Sequence, residues 1–543
     1  MRFKELNDSD IQYFTEIYKS SDYTWDEKMK LLASYIGREK DTEGVLLPVG
    51  SENYKEKSER TVRNWAKTLG LIERDEPTPE QYEVAKTRVF DKTKERFIIS
   101  WAQNNTPVNK DFLLNIEAYA KHINADIHII AGRYKNPTSL FNSDEEYWVN
   151  EVLPYLDANR HDVHDYVSIM SDVKIQPTAV SPMTGLAGLS AQNSCVFGSP
   201  KVQLEVIPVL EGYRTKLMMT TGAVTLKNYT DSKAGKKGEF HHTFGFVVVE
   251  IDGDETYIRQ VTADEDGAFS DLIFRVDSGK VTSGNTIDGI VLGDIHLGQD
   301  DDAIMDSTFN IINDLNPKAI VVHDLFDAQS VNVHDSKNPF IQYRKEVEGK
   351  NDLKVEIDLM MTWLGELRDL AEEIVIVRSN HDDMIDRYLI NEDWKKGHIK
   401  NALTYMEYST AILSQKATKG IIPWVINEKY PEILTLNLDS SYRINGWELA
   451  VHGHQGSNGA RGSVNTFRKL STKLITAHTH TCSTHDGHMC VGCTCKKKQG
   501  YNEGGASSWT NSHIIIHKDY NGNGSSKAQH LIMNPDGRYT TLM

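Results

Sequence analysis

The chain has 543 residues, with 60 Lys and Arg against 77 Asp and Glu, a formal net charge of -17 and 39% hydrophobic residues. That composition suits a globular protein of about two to four domains, and the acidity argues against a protein that coats nucleic acid by bulk attraction. It does not exclude a nuclease, because bound divalent cations supply positive charge locally.

No apolar run reaches the roughly 18–20 residues needed to span a bilayer. The opening "MRFKELNDSDIQYF" lacks the apolar core of a signal peptide. The expectation is a cytoplasmic protein with no membrane partner. Cys195 stands alone, while Cys482, Cys490, Cys493 and Cys495 crowd together, which is not the layout of a disulfide framework.

Residues 1–80 read as a small helical unit. "TWDEKMKLLASYIG" (24–37) has helical periodicity, and "SERTVRNWAKTLGL" (58–71) runs from an N-cap at Ser58 to Gly70. The second helix sets Arg60, Arg63 and Lys67 apart from Val62, Trp65, Ala66 and Leu69. Two readings stay open, a helix-turn-helix-like DNA reader and a helical scaffold or oligomerisation module. The twenty residues between the helices are long for a tight turn, which favours the scaffold. "IERDEPTPEQ" (72–81) reads as a linker.

Residues 85–285 read as a mixed α/β domain, non-catalytic and used in assembly or DNA contact. "ERFIISWA" is a strand, "NKDFLLNIEAYAKHIN" a helix and "ADIHIIAGRY" a second strand, followed by the β-rich runs "KVQLEVIPVL", "TKLMMTT", "HTFGFVVVEID" and "ETYIRQVTA". "NYTDSKAGKKGEFHH" (228–242) is a polar loop with three lysines, either solvated or in contact with phosphate. The opening strand–loop–helix–strand has the same element lengths as 290–327. It is either a non-catalytic duplicate, with Gln103 and Asn104 at its first strand end, or generic βαβ spacing.

From about 286 to 543, strands alternate with helices. "DGIVLGD" leads to a helix near 303–315, then the strand "KAIVVHD", a long helix within 352–373, and the strand "IVIVRSNHDD". This rhythm predicts a mostly parallel buried sheet, whose ligands sit beyond the carboxyl ends of its strands. Five strand ends deliver candidate metal ligands there. They carry Asp294 and His296, then Asp324 with Asp327 three residues on, then Asn380, His381 and Asp382, then His452 and His454, and finally His478 and His480. One polar strand tip means little, since every strand must exit into solvent. Five in series, nearly all of metal-binding type, do not arise that way. The mixed carboxylate, amide and imidazole set suits manganese, iron or zinc better than magnesium or calcium alone.

"GDIHLG", "HDLFD", "SNHDD", "VHGHQ" and "AHTH" stand in the motif order of the calcineurin-like metallophosphoesterases, which residues 286–520 resemble. "DLFD" and "NHDD" look more like the double-strand-break-repair exonuclease branch than the protein phosphatases. Three glycines of the family pattern are replaced, by His323, Ser379 and Ala477. The resemblance implies a metallophosphoesterase β-sandwich flanked by helices, preceded here by the helical and mixed α/β domains. It implies two divalent metals, Mn2+ foremost: one held by Asp294, His296, Asp324 and His480, the other by Asp324, Asn380, His452 and His478. Asp324 would bridge them. His381 matches a histidine that assists the leaving group, and Asp327, Asp382 or His454 would orient ligands from behind.

Asp-x-His also occurs at Asp126/His128, Asp162/His164 and Asp486/His488. The first is expected to be a half-buried strand position and the second a polar helix start or loop. The last lies in "CSTHDGHMCVGCTCKKK", where His485, His488, Cys490, Cys493 and Cys495 have ligand types suited to a structural Zn2+, reduced cysteines being the alternative. The family resemblance fixes chemistry better than substrate. DNA is the expected substrate of a metal-dependent DNase, with a phosphomonoesterase or nucleotidase as the alternative, and a homo-oligomer is expected.

Overall fold

The computed structural model describes residues 6–542 except 21, 39–45, 50–53, 56, 72–80, 137–145, 190, 471, 500–501 and 525. Nearly all of the 72–81 linker, and the side chain of Arg60, lie outside the described residues. Three helices open the chain: α1 (Asp8–Lys19), α2 (Trp25–Ile36) and α3 (Glu59–Thr68). Asn7, Thr24 and Ser58 cap them through side-chain oxygens, which satisfies backbone donors otherwise left open. Phe14, Leu32, Ile36, Val62 and Trp65 form their shared core. The sequence reading missed α1.

The rest of the described chain is a mixed α/β architecture whose sheets are flanked by helices. A short helix α4 (Gln81–Ala85) precedes ten strands: β1 (Arg96–Gln103), β2 (Asp126–Gly132), β3 (Leu156–Asp157), β4 (Arg160–His164), β5 (Val167–Met170), β6 (Ser194–Phe197), β7 (Leu204–Ile207), β8 (Lys216–Thr220), β9 (Gly245–Asp252) and β10 (Glu255–Thr262). Helix α5 (Lys110–Ile123) joins β1 to β2, and α6 (Lys233–His241) precedes β9. A small sheet follows, made of β11 (Phe269–Asp271), β12 (Phe274–Asp277) and β13 (Lys280–Thr282). Then come β14 (Ile287–Val291), α7 (Asp302–Leu315), β15 (Ala319–Val322), β16 (Glu373–Ile376), β17 (Leu434–Thr435), β18 (Arg443–Ile444), β19 (Trp447–Glu448), β20 (Lys473–Thr476), β21 (Ser483–His485), β22 (His488–Cys490), β23 (Ser512–His517) and β24 (Ala528–Ile532). Between β15 and β17, around β16, lie α8 (Pro339–Glu348), α9 (Leu353–Leu367), α10 (Asp382–Asn391), α11 (Ala402–Leu413) and α12 (Ile421–Lys429).

Sheet order decides between duplicate and generic βαβ spacing. One sheet runs β10-β9-β1-β2-β3 and another β24-β23-β14-β15-β16-β17. In both, the first strand pairs parallel with the strand after its helix and antiparallel with a late hairpin. A ten-stranded sheet, β4-β5-β6-β8-β7-β21-β22-β20-β19-β18, packs under both. Its halves have the same sequence of antiparallel, parallel, parallel and antiparallel pairings. Leu204 pairs with Met219 in one half, Thr484 with Met489 in the other, and Leu204 pairs with Thr484 at the join. Residues 85–285 are therefore a second copy of the same topology, related to the first by a pseudo-twofold through β7 and β21.

Alternation along each strand fills two layers per copy. Val291, Val321, Val375 and Ile514 face Leu449, Ile475 and Val491 of the long sheet, while Ile290, Ile320, Val322 and Ile376 face the helices. In the other copy Ile99, Val247 and Val249 face Ile169 and Val196, and Ile98, Ile129 and Val248 face α5.

Three expectations are corrected. The polar loop at 228–242 contains α6, capped by Ser232. Asp162 and His164 lie in β4, an edge strand whose residues alternate outward, rather than in a loop or helix start. The expected strand "WELAVHGHQG" is ladder-paired only over Trp447–Glu448, so His452 and His454 sit on irregular backbone beyond it.

Candidate metal centre

The carboxyl edge of the β14–β15–β16 sheet is built on close backbone approaches. A side chain at Gly293 would meet the Ser512 carbonyl at 2.7 Å and Cys493 backbone at 2.9 Å, so this position needs glycine. Gly293 N–H donates to His513 Nδ1 at 2.9 Å, and His513 Nε2 donates to Thr308 Oγ1 at 2.9 Å. Burial pushes His513 down to about 3, which keeps it neutral and suited to both bonds. Beyond this anchor the chain turns sharply. His296, Asp324, His478 and His480 all have left-handed backbone, with φ of 51°, 43°, 75° and 55°. Such strain costs about 1–3 kcal/mol per residue and clusters where function requires a side chain to be aimed.

Two groups of side chains converge there. Asp294, His296, Asp324 and His480 each offer a ligand atom within 4.8 Å of the others, and so do Asp324, His452 and His478. Asp324 belongs to both. Its Oδ2 lies 3.1 Å from His452 Nε2 and 3.5 Å from His296 Nε2. His480 Nε2 lies 3.3 Å from Asp294 Oδ2 and 3.1 Å from His296 Nε2. Asn380 follows β16, and its buried Oδ1 has no hydrogen-bond partner. Asp294 Oδ1 and Asp324 Oδ1 are likewise buried without one. Orphaned acceptors of this kind are costly unless something positive meets them. Two imidazole Nε2 atoms at 3.1 Å also repel unless a proton or cation lies between them. The donor set fits divalent cations.

Electrostatics agree. Burial, then the Asp324 carboxylate, pushes Asp294 up to about 7. Burial opposes the charged form of His296, but Asp327, Asp324 and Asp294 outweigh it and hold it up at about 10. Asp324 goes the other way: burial opposes its charge, and His452 and His381 overcome that. A fully buried carboxylate held ionised by surrounding imidazoles is ready for a metal.

The supporting residues are positioned as follows. Asp327 Oδ1 accepts from His296 Nδ1 at 2.9 Å, which leaves His296 Nε2 facing the cluster. His381 Nδ1 donates to the Asp327 carbonyl at 2.8 Å, leaving Nε2 as the nitrogen open to proton exchange. Asp382 Oδ2 accepts from Ser379 N–H at 2.9 Å, and Ser379 Oγ accepts from the amides of His381 and Asp382 at 3.2 Å. The serine thus ties down the turn that leads from β16 into α10. His454 packs beside His452 and His478, with ring centroids 5.5 and 6.1 Å away. His323 is fully buried 5.6 Å from the His452 ring, and Ala477 N–H donates to the His452 carbonyl at 2.7 Å.

Two contributors carried no sequence signal. Glu356, in the first turn of α9, accepts from the amides of Gln329 and Ser330 and so pins the turn after Asp327. Trp509 packs edge-on against His480, with centroids 4.1 Å apart. A helical acid and a loop tryptophan look like any others until the fold brings them in.

The five-residue zinc set does not assemble. His485 and His488 pair across the β21–β22 hairpin, and Cys490 donates to the Ala477 carbonyl at 3.3 Å. Cys493 and Cys495 gather instead with His480, because Cys493 and Cys495 pair with Asp294 and Asp300 as the chain passes the candidate metal edge. His128, expected as a plain strand position, is buried between Asp157 at 2.7 Å and Asp126 at 3.1 Å. Asp157 also holds His161.

The second copy lacks this equipment. By strand register and by distance from the preceding elements, Gln103, Asn105, Gly132, Ser199 and Lys201 stand where Asp294, His296, Asp324, His478 and His480 stand. Asn105 even keeps the left-handed backbone of His296, with φ of 53°. A side chain at Gly132 would lie 2.1 Å from the Trp101 indole, which fills the place of the shared aspartate.

Fold and site together define a metal-binding α/β protein with one equipped and one unequipped copy of the same sheet topology. Among the described residues no helix is long and apolar enough to cross a membrane. Protein A1 of Escherichia phage T5 is 33% identical over 478 residues, spanning 81% of this chain and 82% of that protein. The chain belongs to the Protein A1 family. No model of a known protein family matches it. Among solved structures, Vps29 of Entamoeba histolytica (a single mutant) aligns over 45% of this chain and 99% of its own, at 14% identity. Its TM-score of 0.22 is too low to carry an argument.

Proposed function

We propose that the chain is a metal-dependent DNase that hydrolyses phosphodiester bonds at a two-metal centre, with Mn2+ as its ion, and degrades host DNA in the bacterial cytoplasm during phage infection. One observation carries the chemistry: Asp324 belongs to both ligand groups, as a bridge between two cations requires. The motif series of the double-strand-break-repair exonuclease branch supports DNA as substrate, and kinship with a phage protein supports the setting.

Asp294, His296, Asp324 and His480 would hold one ion, and Asp324, Asn380, His452 and His478 the other. When bound, the pair supplies positive charge to a phosphoryl group and lowers the pKa of a water. The protein's own part is to aim and to move protons. Asp327 fixes the His296 ring. The Asp327 carbonyl fixes His381 Nδ1–H, so that Nε2, after taking a proton from solvent or from the attacking water, can deliver it to the leaving oxygen, a contribution of about 10²–10⁴-fold in rate.

The test incubates the protein with Mn2+ and, in parallel, with linear duplex DNA, circular duplex DNA and mononucleotides. DNA is expected to disappear while mononucleotides persist. Phosphate release from mononucleotides with DNA intact would replace this reading with a nucleotidase.

A homo-oligomer is proposed as well. Phe340, Tyr343, Ile390, Ile399, Leu403 and Leu413, all from the segment between β15 and β17, are each more than two-thirds exposed and give a partner subunit apolar side chains to cover. Light scattering should return a multiple of the 61.4 kDa chain mass, and a monomer would contradict it.

A further inference from the structure

Two adjoining cavities, of about 540 and 650 Å³, run along the seam between the two copies. Both are lined by Lys201, His241, Arg468, Lys469 and Asp486. Together they collect six Lys and Arg, namely Lys201, Lys237, Arg468, Lys469, Lys473 and Lys527, against one carboxylate, Asp486. In a chain of net charge -17 this is a concentrated reversal of sign. The single acid is already occupied. Asp486 accepts from Arg468 Nε at 2.9 Å and Nη2 at 2.5 Å, pairs with Lys201, and lies 3.5 Å from His241. Among the described residues, Lys237 and Lys469 have no acidic partner at ion-pair distance, and Lys527 reaches Asp264 only at 3.9 Å.

The place in the fold gives the groove its meaning. Lys201 lies four residues past β6, as His480 lies four past β20. The groove thus reaches the unequipped copy's carboxyl edge through Lys201, a fixed cation at the position equivalent to the ligand His480, and its other cations come from α6 and from the facing copy. The positive charge has consequences inside the groove: burial, and then the repulsion of Lys201, push His241 below its ordinary value.

We infer that this groove binds the phosphodiester backbone of DNA, a second contact that holds substrate away from the metal centre. The inference rests on the proposed DNase reading for the identity of the polyanion. Lys and Arg arrayed along a groove attract phosphates whatever the sequence, with counterion release setting the salt dependence.

The experiment uses the full-length chain in EDTA, so that binding is read without cleavage, with a fluorescent duplex of about 30 base pairs over a series of salt concentrations. The triple variant K237Q/K469Q/K527Q removes exposed or half-exposed charges and spares Asp486 and its partners. It should bind about tenfold or more weakly, with the log–log salt slope smaller by about 2–3. The control K92Q/K110Q/K280Q, three exposed lysines outside the groove, should bind as wild type. Equal loss in both variants, or no loss in the first, would overturn the groove. Inorganic phosphate is titrated in parallel, and loss of phosphate binding with duplex affinity unchanged would overturn the backbone assignment. Mn2+-dependent hydrolysis of bis(p-nitrophenyl) phosphate should be equal in all three proteins. If wild type lacks that activity the DNase reading fails by itself, while the binding comparison still judges the groove.

Discussion

Asp324→Asn should reduce Mn2+-dependent DNA hydrolysis by about 10³-fold or more, the scale of losing a principal electrostatic element of a phosphoryl-transfer site. The substitution is isosteric and keeps the left-handed backbone within the tolerance of asparagine, so the far-ultraviolet circular dichroism should not change. What is lost is charge. Asp324 is 2% exposed and lies against His296 and His452. A neutral amide there cannot balance two cations with one side chain. Residual activity within tenfold of wild type would remove Asp324 from the bridging role.

The second large effect concerns stability. Arg259 is buried, donating from Nε and Nη2 to Asp271 at 2.7 and 2.8 Å, and it also pairs with Glu250. Tyr119 and Gln529 complete Asp271 at 2.6 and 2.7 Å, while Thr541 N–H reaches Glu250 at 2.9 Å. The network ties one copy to β24 of the other and to the C-terminal tail. Arg259→Met fills the volume but leaves two buried carboxylates without their cation, at a cost of about 3–5 kcal/mol. Urea unfolding should show it at neutral pH.

The pH dependence follows with a definite sign. Burial opposes the charge of Glu250 and Asp271, but Arg259 outweighs it and holds both below the usual carboxylate range. Their contribution is present above the unfolded value of about 4 and is lost as pH falls through the lower folded values. In the variant the carboxyls are expected to protonate more readily, so the gap to wild type should narrow toward acid pH. A gap that widens on acidification would contradict the account.

The metal edge was legible because its signal is serial. Asp294, Asp324, Asn380, His452 and His478 each come after an apolar run, and hydrophobic pattern sets their order. The expected single sheet edge is corrected, since the first three follow strands of the six-stranded sheet and the last two follow β19 and β20 of the ten-stranded sheet packed on it. The failures have local causes. His485 and Cys490 are close in sequence, yet the β21–β22 hairpin sends their side chains to different partners. The helix α6 hid within a lysine- and glycine-rich run that reads as loop, since its two glycines weaken the helical signal and their burial is a tertiary fact, although the Ser232 cap is local. The second copy was only half visible. Element lengths matched, but Gln103, Gly132 and Lys201 carry none of the residue types that mark the first. Topology persists through backbone pairing after the side chains that advertised it are gone.

A crystal soaked in Mn2+ and measured at the manganese absorption edge tests the central claim most directly. Two anomalous peaks about 3.5–4 Å apart should flank the Asp324 carboxylate, one beside His296 and His480 and the other beside His452 and His478. A single peak, or a pair that does not share Asp324, would contradict the two-metal centre.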